Sequence, residues 1–427
     1  MARPRDVVRG VVRVPGDKSV SHRALMFSAL AEGTSRVRGL LQSDDVKATA
    51  RVLRALGWGI PDVGDDMTIE GAGLHSRLPS PVSRLDCANS GTTTRLMAGV
   101  AAAQPFASTF IGDASLSRRP MRRVAAPLEA MGARVVFPEG RDGLPMVVHG
   151  GVLHEVAWEL PVASAQLKSA VLLAGLCGQV PVQVREPAPT RDHTERMLAE
   201  RGVPLARDDG GWISLQPADR LAARDVDVPG DPSSAAFFIA RALLADEGEL
   251  RLENVLRSPY RDGFLRAVRA MGARLVEETV HDPTGASRED IRVSGGGSLR
   301  GITIGRDDVT AMIDEIPMLA VLAARAQGTT EVRGADELRV KESDRITAVV
   351  SNLRAIGVDA EELPDGLVVR GTDAPLAGHV VTHGDHRIAM AFGVLGATRG
   401  CAITVDDPGC VTVSFPGFWE TLRDVAT

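Results

Sequence analysis

The chain has 427 residues, 44% of them hydrophobic and 24% charged, and carries a net charge of -6. That length is enough for two large domains, and that charge argues against a general nucleic-acid or membrane surface while leaving room for local basic clusters that bind small anions. Met1–Val14 has charges throughout and no apolar signal core, and apolar runs such as Ala170–Cys177 are too short to span a membrane. One tyrosine and four tryptophans leave little material for base stacking, and the four cysteines lack metal-type spacing, so they are expected to stay reduced in a cytoplasm.

In chain order, the first element is a Pro15-Gly16-Asp17 turn running into a helix over Ala24–Ala31, headed by Lys18, Ser19 and Arg23. Backbone N–H groups at a helix start are unpaired and partly positive, so this head suits a phosphate or carboxylate; taken alone, it reads first as an ordinary capped turn. Related stretches then recur. A helix ending in glycine before a strand occurs at Leu53–Gly57, Leu128–Gly132, Leu198–Gly202, Val268–Gly272 and Leu353–Gly357, with its glycines 75, 70, 70 and 85 residues apart. An apolar helix followed by a turn and a short strand interleaves with it, as at Ala29–Val37, Ala98–Ile111, Ala174–Val184, Ala240–Leu252, Ala320–Val332 and Gly393–Val405. Six units of about seventy residues fit this ruler, each with two helices and several short strands.

The opening phrase returns as Pro229-Gly230-Asp231-Pro232. The two Pro-Gly-Asp sites, near 15–18 and 229–232, are expected to be crossings between domains. One domain then spans 17–230 with three units, and the other combines 1–16 with 231–427. The last unit stops soon after its second helix, so Met1–Val14 is expected to supply its missing strand.

Unusual polar residues keep one phase in this ruler, at helix starts. First helices are headed by Lys18-Ser19, Asn89–Thr92, Ser164-Ala165-Gln166, Pro232–Ser234, Asp314-Glu315 and Gly384–Arg387; second helices by Ser43–Asp45, Ser117–Pro120, Thr190–His193, Ser258–Arg261, Lys341–Arg345 and Ser414–Pro416. Ser, Thr, Asp and Asn cap helices. Capping does not call for Lys18, Arg23, Arg119, Lys341, Arg345 and Arg387, because a cation at a helix start opposes the macrodipole. If the units pack around two domain axes, many of these heads are expected to face one cleft suited to a substrate with several negative groups. Gly91 offers close backbone approach to an anion, and Lys341 and Arg345, four apart, are expected on one helix face near Glu342. Asp314, after an apolar pair and before Ile316-Pro317, reads either as a buried general base or as an ordinary acidic helix start.

The order Asp-Lys-Ser, Asn-Ser-Gly-Thr-Thr, Ser-Leu-Ser-Arg-Arg-Pro-Met, Ser-Ala-Gln, Thr-Arg-Asp-His-Thr-Glu, Ile-Asp-Glu-Ile-Pro, Arg-Val-Lys-Glu-Ser-Asp-Arg and Gly-Asp-His-Arg-Ile-Ala-Met resembles the 5-enolpyruvylshikimate-3-phosphate synthase family over essentially the whole chain. The resemblance implies an α/β (α+β) fold of two similar domains, each of three βαβαββ units around a pseudo-three-fold axis, the inverse α/β barrel type. It also implies transfer of the enolpyruvyl group of phosphoenolpyruvate to the 5-hydroxyl of shikimate 3-phosphate, with release of phosphate, on the route to chorismate and aromatic amino acids. It implies a monomer without metal or organic cofactor, and domains that close on the first substrate.

By the same resemblance Asp314 is the base near the 5-hydroxyl, Glu342 handles the proton at the methylene carbon, and Lys18 lies close to both substrates. Ser19, Arg23, Ser164, Ala165, Gln166, Arg191 and Lys341 match positions that hold shikimate 3-phosphate. Gly91, Arg119, Arg345 and Arg387 match the phosphoenolpyruvate site, where guanidinium forks suit carboxylate and phosphate oxygens. Asp385 and His386 are expected to orient Arg387. Ala165 stands where many members carry serine, and Val413 where many carry lysine. Two rivals are weighed: transfer to UDP-N-acetylglucosamine, whose enzymes use a cysteine in the loop corresponding to Gly112–Pro120, here cysteine-free, and a non-catalytic repeat scaffold. A scaffold would reuse one residue type at equivalent positions, whereas Lys18, Gln166, Asp314 and Arg387 differ.

Overall fold

The computed structural model describes residues 5–76, 79–81, 83–280 and 287–426. Contacts divide the chain into two compact units, one of Gly16–Val228 and one that joins the N-terminal segment ending at Pro15 to Pro229 and all that follows. No helix among the described residues is long and apolar enough to cross a membrane.

Each unit is built from repeats of one α/β design. The clearest runs from strand Leu85–Asp86 through helix Gly91–Ala102, strand Ala107–Ile111 and helix Arg122–Ala130 to strands Arg134–Val136 and Met146–His149. Its first strand lies parallel to the second, and the last two strands add antiparallel, so the sheet order is first, second, fourth, third. The sheet of strands Val156–Glu159, Val182–Arg185, Leu205–Arg207 and Trp212–Leu215 repeats that order, as does the sheet of Thr303–Ile304, Thr329–Val332, Asp359–Leu363 and Gly366–Arg370. Among the described residues the sixth repeat pairs Leu376–Val380 with Cys401–Val405.

Helices lie inside and sheets outside, and the burial pattern says why. Lys18–Leu30 buries eleven of its thirteen residues and Pro232–Leu243 eleven of twelve. A helix without a polar face has to be enclosed. Strands such as Glu32–Arg38 bury alternate residues, Ser35 and Val37, and so keep one face in water. In the Gly16–Val228 unit, helix Gly91–Ala102 lies so close to Ala165–Gly178 that a Cβ on Gly99 would sit 2.2 Å from the Ala170 carbonyl oxygen. In the other unit, Pro232–Leu243, Ile316–Ala323 and His386–Gly396 pack on one another. Phe415 and Phe418 close an aromatic cluster with Phe237 and Phe238, centroids 5.5 to 5.9 Å apart, which holds the last helix, Phe418–Asp424, on that core.

Side-chain caps fix where the inner helices begin. Asp17, Ser90, Ser164, Asp231 and Asp385 each accept a backbone N–H two or three residues on, an interaction worth about 1 kcal/mol. Asp344 does the same for helix Arg345–Ala355, taking the Thr347 N–H. That cap corrects the expectation for Lys341 and Arg345. Asp336–Val340 is a short 3₁₀ turn, Lys341 to Asp344 form a bend, and the helix cannot start before Arg345, so the two residues do not share a helix face.

The N-terminal segment also goes elsewhere than expected. Strand Val7–Val12 runs parallel to Glu247–Leu256 in the fourth repeat and meets the sixth at the Val8–Ala426 bridge and the Arg9 N–H to Val425 carbonyl bond of 3.3 Å. In the first and fourth repeats the first strand is exchanged: Val7–Val12 runs in sequence into helix Lys18–Leu30 but pairs in the fourth repeat, and Val226–Asp227 runs into Pro232–Leu243 but pairs in the first. The fourth repeat's first helix, Pro232–Leu243, starts beside Pro15, whose carbonyl accepts the Asp231 N–H at 2.9 Å. The strand that ends near Pro15 therefore belongs to that repeat. The mirror arrangement completes the first repeat, where Val226–Asp227 pairs parallel with Val37 and Arg38.

Candidate active site

In the Gly16–Val228 unit, the head of helix Lys18–Leu30 places three basic groups. Lys18 Nζ donates to Asp45 Oδ2 at 3.0 Å, tying it to the first turn of helix Asp44–Ala55. Arg23, one turn further in, is 2% exposed. Its guanidinium donates to the Ser19 carbonyl at 2.9 Å, Thr194 Oγ1 at 2.7 Å and Ser169 Oγ at 2.8 Å. Burial pushes the Arg23 guanidinium down to about 10, against the pull of Glu195 and Asp17, so it stays cationic at neutral pH. Arg191 reaches Ser19 Oγ at 3.4 Å, so Ser19, Arg23 and Arg191 share one place. Ser164 caps helix Ala165–Gly178 through the Leu167 N–H, and the Ala165 carbonyl accepts Ser169 Oγ at 2.6 Å, which links this head to Arg23. With no hydroxyl of its own, Ala165 offers only backbone here.

A second cluster forms around Gly91. Arg119 donates to Asn89 Oδ1 at 2.6 Å, and Arg95 donates to Gln166 Oε1 at 2.8 Å while Gln166 Nε2 donates to Thr92 Oγ1 at 3.0 Å. A Cβ added to Gly91 would lie 2.6 Å from Arg95 Nη1 and 3.3 Å from Arg119 Nη1. Two guanidiniums thus flank a bare backbone position at a helix N-terminus, an arrangement that binds a small anion. Hydroxyls connect the two clusters. His22 Nδ1 lies 2.7 Å from Thr49 Oγ1, which lies 2.7 Å from Thr93 Oγ1, which in turn donates to Ser90 Oγ at 2.7 Å. Burial first, then Lys18 and Arg23, hold the His22 imidazole well below its ordinary value, so this chain starts from a neutral ring.

In the unit that contains Pro229 onward, Arg345 is the centre. Its guanidinium, 1% exposed, donates to Asp385 at 2.8 and 3.3 Å, Glu342 Oε2 at 2.6 Å and Asp314 Oδ1 at 3.4 Å. Burial alone would lower its pKa, but Asp385, Glu342 and Asp314 outweigh that and hold it raised. Arg387 donates to the Asp314 carbonyl at 3.1 Å and lies 3.8 Å from its carboxylate. Asp314, Glu342, Arg345 and Arg387 are therefore together, with Asp314 in the bend between helix Arg306–Met312 and helix Ile316–Ala323. Lys341 lies half-buried in the bend before Glu342, and Val413 closes the 3₁₀ turn Pro408–Val413. Asp385 does less for Arg387 than expected: it caps the Arg387 N–H but spends its side chain chiefly on Arg345.

Three participants were not singled out from sequence. Arg95 stands one turn after Gly91 on the same face, a spacing that could have marked it. Asp45 could have been found only as an acid in a helix head. Lys168, fully buried between Glu186 at 3.0 Å and Glu195 at 2.7 Å, looks in sequence like one polar residue in an apolar helix.

Inner helices headed by arginines and lysines, with two carboxylates, Asp314 and Glu342, on one guanidinium and all on βαβαββ repeats, suit the class of proteins that do acid–base chemistry on anionic substrates. Comparison with known proteins narrows the class. The family model for EPSP synthase (3-phosphoshikimate 1-carboxyvinyltransferase) matches residues 2–422. A 3-phosphoshikimate 1-carboxyvinyltransferase of Desulforudis audaxviator is 47% identical over 99% of this chain and 98% of its own length. One from Aquifex aeolicus is 44% identical over 98% of this chain and 97% of its own. The solved EPSP synthase of Acinetobacter baumannii superposes with a TM-score of 0.85 at 40% identity, covering 99% of this chain and 97% of that one. The chain belongs to the EPSP synthase (3-phosphoshikimate 1-carboxyvinyltransferase) family.

Proposed function

We propose that this chain transfers the carboxyvinyl group of phosphoenolpyruvate to the 5-hydroxyl of 3-phosphoshikimate and releases phosphate, with the roles that follow. The hydroxyl oxygen adds to the substituted carbon of phosphoenolpyruvate as the methylene carbon takes a proton. The adduct then loses that proton again, the carbon–oxygen bond to phosphate breaks, and the vinyl ether remains. Asp314 takes the hydroxyl proton, and Glu342 gives and later recovers the proton at the methylene carbon. Lys18 stabilises charge on the departing phosphate, and Gly91, Arg119, Arg345 and Arg387 hold the phosphate and carboxylate of phosphoenolpyruvate. Ser19, Arg23, Ser164, Ala165 through its backbone, Gln166, Arg191 and Lys341 hold 3-phosphoshikimate.

The observation that carries this reading is the Arg345 guanidinium bonded to both Asp314 and Glu342, at 3.4 and 2.6 Å. One rigid fork fixes the spacing of two carboxylates that must act on atoms only a bond or two apart. The four cysteines are all free, which supports a reducing, cytoplasmic setting, and we assign the chain as a monomer on its family resemblance. The test is phosphate release by the purified chain with phosphoenolpyruvate and 3-phosphoshikimate, beside a run in which UDP-N-acetylglucosamine replaces the acceptor. Release is expected only with 3-phosphoshikimate. Asp314→Asn should retain binding of both substrates and lose turnover by at least a hundredfold, the scale of a general base; turnover within threefold of wild type would remove Asp314 from that role.

A further inference from the structure

The Gly16–Val228 unit buries an ion cluster that the proposed reaction does not use. Lys168 lies in helix Ala165–Gly178, where every residue from Leu167 to Leu176 is buried. Its fully enclosed Nζ donates to Glu186 Oε2 at 3.0 Å and to Glu195 Oε1 at 2.7 Å. Glu186 is itself buried and also accepts from Thr190 Oγ1 and, at 3.3 Å, from Arg207 Nη2. Burying a charge is costly, and a buried ion set gains little over apolar side chains of the same volume; its best-attested use is to fix one geometry. An apolar side chain would fill this helix position at less cost, so the lysine is there for what it holds.

It holds the two ends of one loop. Glu186 follows strand Val182–Arg185, and Glu195 stands in the first turn of helix His193–Ala199. Residues 186–192 lie in neither helix nor strand, so no regular backbone ladder sets their path. The loop carries Arg191, which reaches Ser19 Oγ at 3.4 Å. Thr194, just before Glu195, accepts from Arg23 Nε at 2.7 Å, and Ser169, just after Lys168, accepts from Arg23 Nη2 at 2.8 Å. The Ser169 and Thr194 hydroxyls lie 2.7 Å apart. Lys168-Ser169 therefore meets Thr194-Glu195 twice, once as ions and once as hydroxyls, and Arg23 rests on the hydroxyl contact. Glu195 also acts on Arg23 through its charge, which opposes burial there more strongly than Asp17 does.

We propose that Lys168 is a positioning residue for 3-phosphoshikimate: it clamps both ends of the loop 186–195 and so sets Arg191 beside Ser19 and Thr194 against Arg23. This role rests on the proposed function, which gives Arg23 and Arg191 to that substrate. A guanidinium recognises an oxyanion through N–H groups in fixed directions, so it loses affinity when its mount shifts. The groups assigned to phosphoenolpyruvate, Gly91, Arg119, Arg345 and Arg387, lie outside this cluster, so the effect falls on one substrate.

The test is calorimetric titration of the full chain with 3-phosphoshikimate, together with steady-state kinetics. Lys168→Met keeps most of the volume and removes the charge. Kd and KM for 3-phosphoshikimate should rise by about tenfold or more, while KM for phosphoenolpyruvate and kcat stay within about threefold of wild type. Stranded carboxylates are the merely structural alternative, so Lys168→Met is also combined with Glu186→Gln and Glu195→Gln. That triple variant loses one positive and two negative charges, which by itself favours an anion. Its stability in urea should return toward wild type while the weak binding persists, and it carries the same measurement if Lys168→Met alone does not fold. In an Arg191→Ala background, Lys168→Met should cost less affinity than in the wild type, because the residue it sets is gone. Wild-type affinity in Lys168→Met, an equal rise in both KM values, recovered binding in the triple variant, or strictly additive losses with Arg191→Ala would each overturn the proposal. A wild-type chain that does not bind 3-phosphoshikimate would overturn the proposed function, and this role with it.

Discussion

Replacing Arg345 by Met tests how much of one unit hangs on a single guanidinium. The side chain is 1% exposed and lies between Asp385, Glu342 and Asp314. Methionine fills most of the same space, so the loss is electrostatic and not a cavity. Three carboxylates lose their common partner, Asp385 among them with no exposure at all. Removing one side of a buried pair costs about 3–5 kcal/mol, because the remaining charge is left without compensation. Against a typical stability of about 5–15 kcal/mol, that is a large share. A chain of two units need not unfold in one step, so local amide exchange is the better assay than a single melting curve. Exchange in helices Arg345–Ala355 and His386–Gly396 should accelerate by roughly two to four orders of magnitude. The deficit should hardly respond to salt, since buried charges are poorly screened. Adding Asp385→Asn to the Met variant should restore part of the loss, because it removes the most deeply buried of the stranded charges. Exchange within threefold of wild type in those two helices would refute the reasoning.

Gly91→Ala should leave the fold intact and gain up to about 1 kcal/mol of helix propensity, while its Cβ pushes the Arg95 and Arg119 guanidiniums aside. A misplacement of that size should raise KM for phosphoenolpyruvate by on the order of tenfold, with a smaller effect on KM for 3-phosphoshikimate; steady-state kinetics with an unchanged KM for phosphoenolpyruvate would remove Gly91 from the anion cradle. His22, depressed by burial, Lys18 and Arg23, binds its proton more weakly in the folded chain than in the unfolded one. Its contribution is therefore complete above about pH 6.5 and is lost as pH falls below it, by up to about 1.4 kcal/mol per unit. Urea unfolding between pH 5 and 7.5 should show a flatter acid slope in His22→Gln than in wild type, and parallel slopes would contradict the assignment.

Much of the layout was legible because the repeats write their helix heads in polar residues. Asp17, Ser90, Ser164 and Asp385 could be located as caps, and the basic residues beside them stood out because they oppose the helix dipole. Residues that act through distant partners were not legible. Nothing near Arg345 in sequence says that Asp385, forty positions on, clamps it, or that Asp344 delays the helix and turns Lys341 away from it. Nothing near Arg95 in sequence shows that Gln166, 71 positions later, accepts from it. The destination of Val7–Val12 also escaped unit counting, because the strand runs in sequence into helix Lys18–Leu30 but pairs with Glu247–Leu256, beyond an entire intervening unit.

That interrupted strand orders events during synthesis. Gly16–Val228 is one uninterrupted stretch, and every strand of its sheets has left the ribosome once Asp227 has emerged. The other unit contains Val7–Val12, whose partner Glu247–Leu256 is made only after the whole of Gly16–Val228, and whose outer edge meets Val425 and Ala426, later still in the chain. Vectorial synthesis therefore lets the middle of the chain fold first, while the earliest strand waits as an unpaired edge through most of translation. Val7–Val12 holds four valines, but Arg9 and Gly10 interrupt them, which lowers the tendency of that waiting edge to pair with another nascent chain.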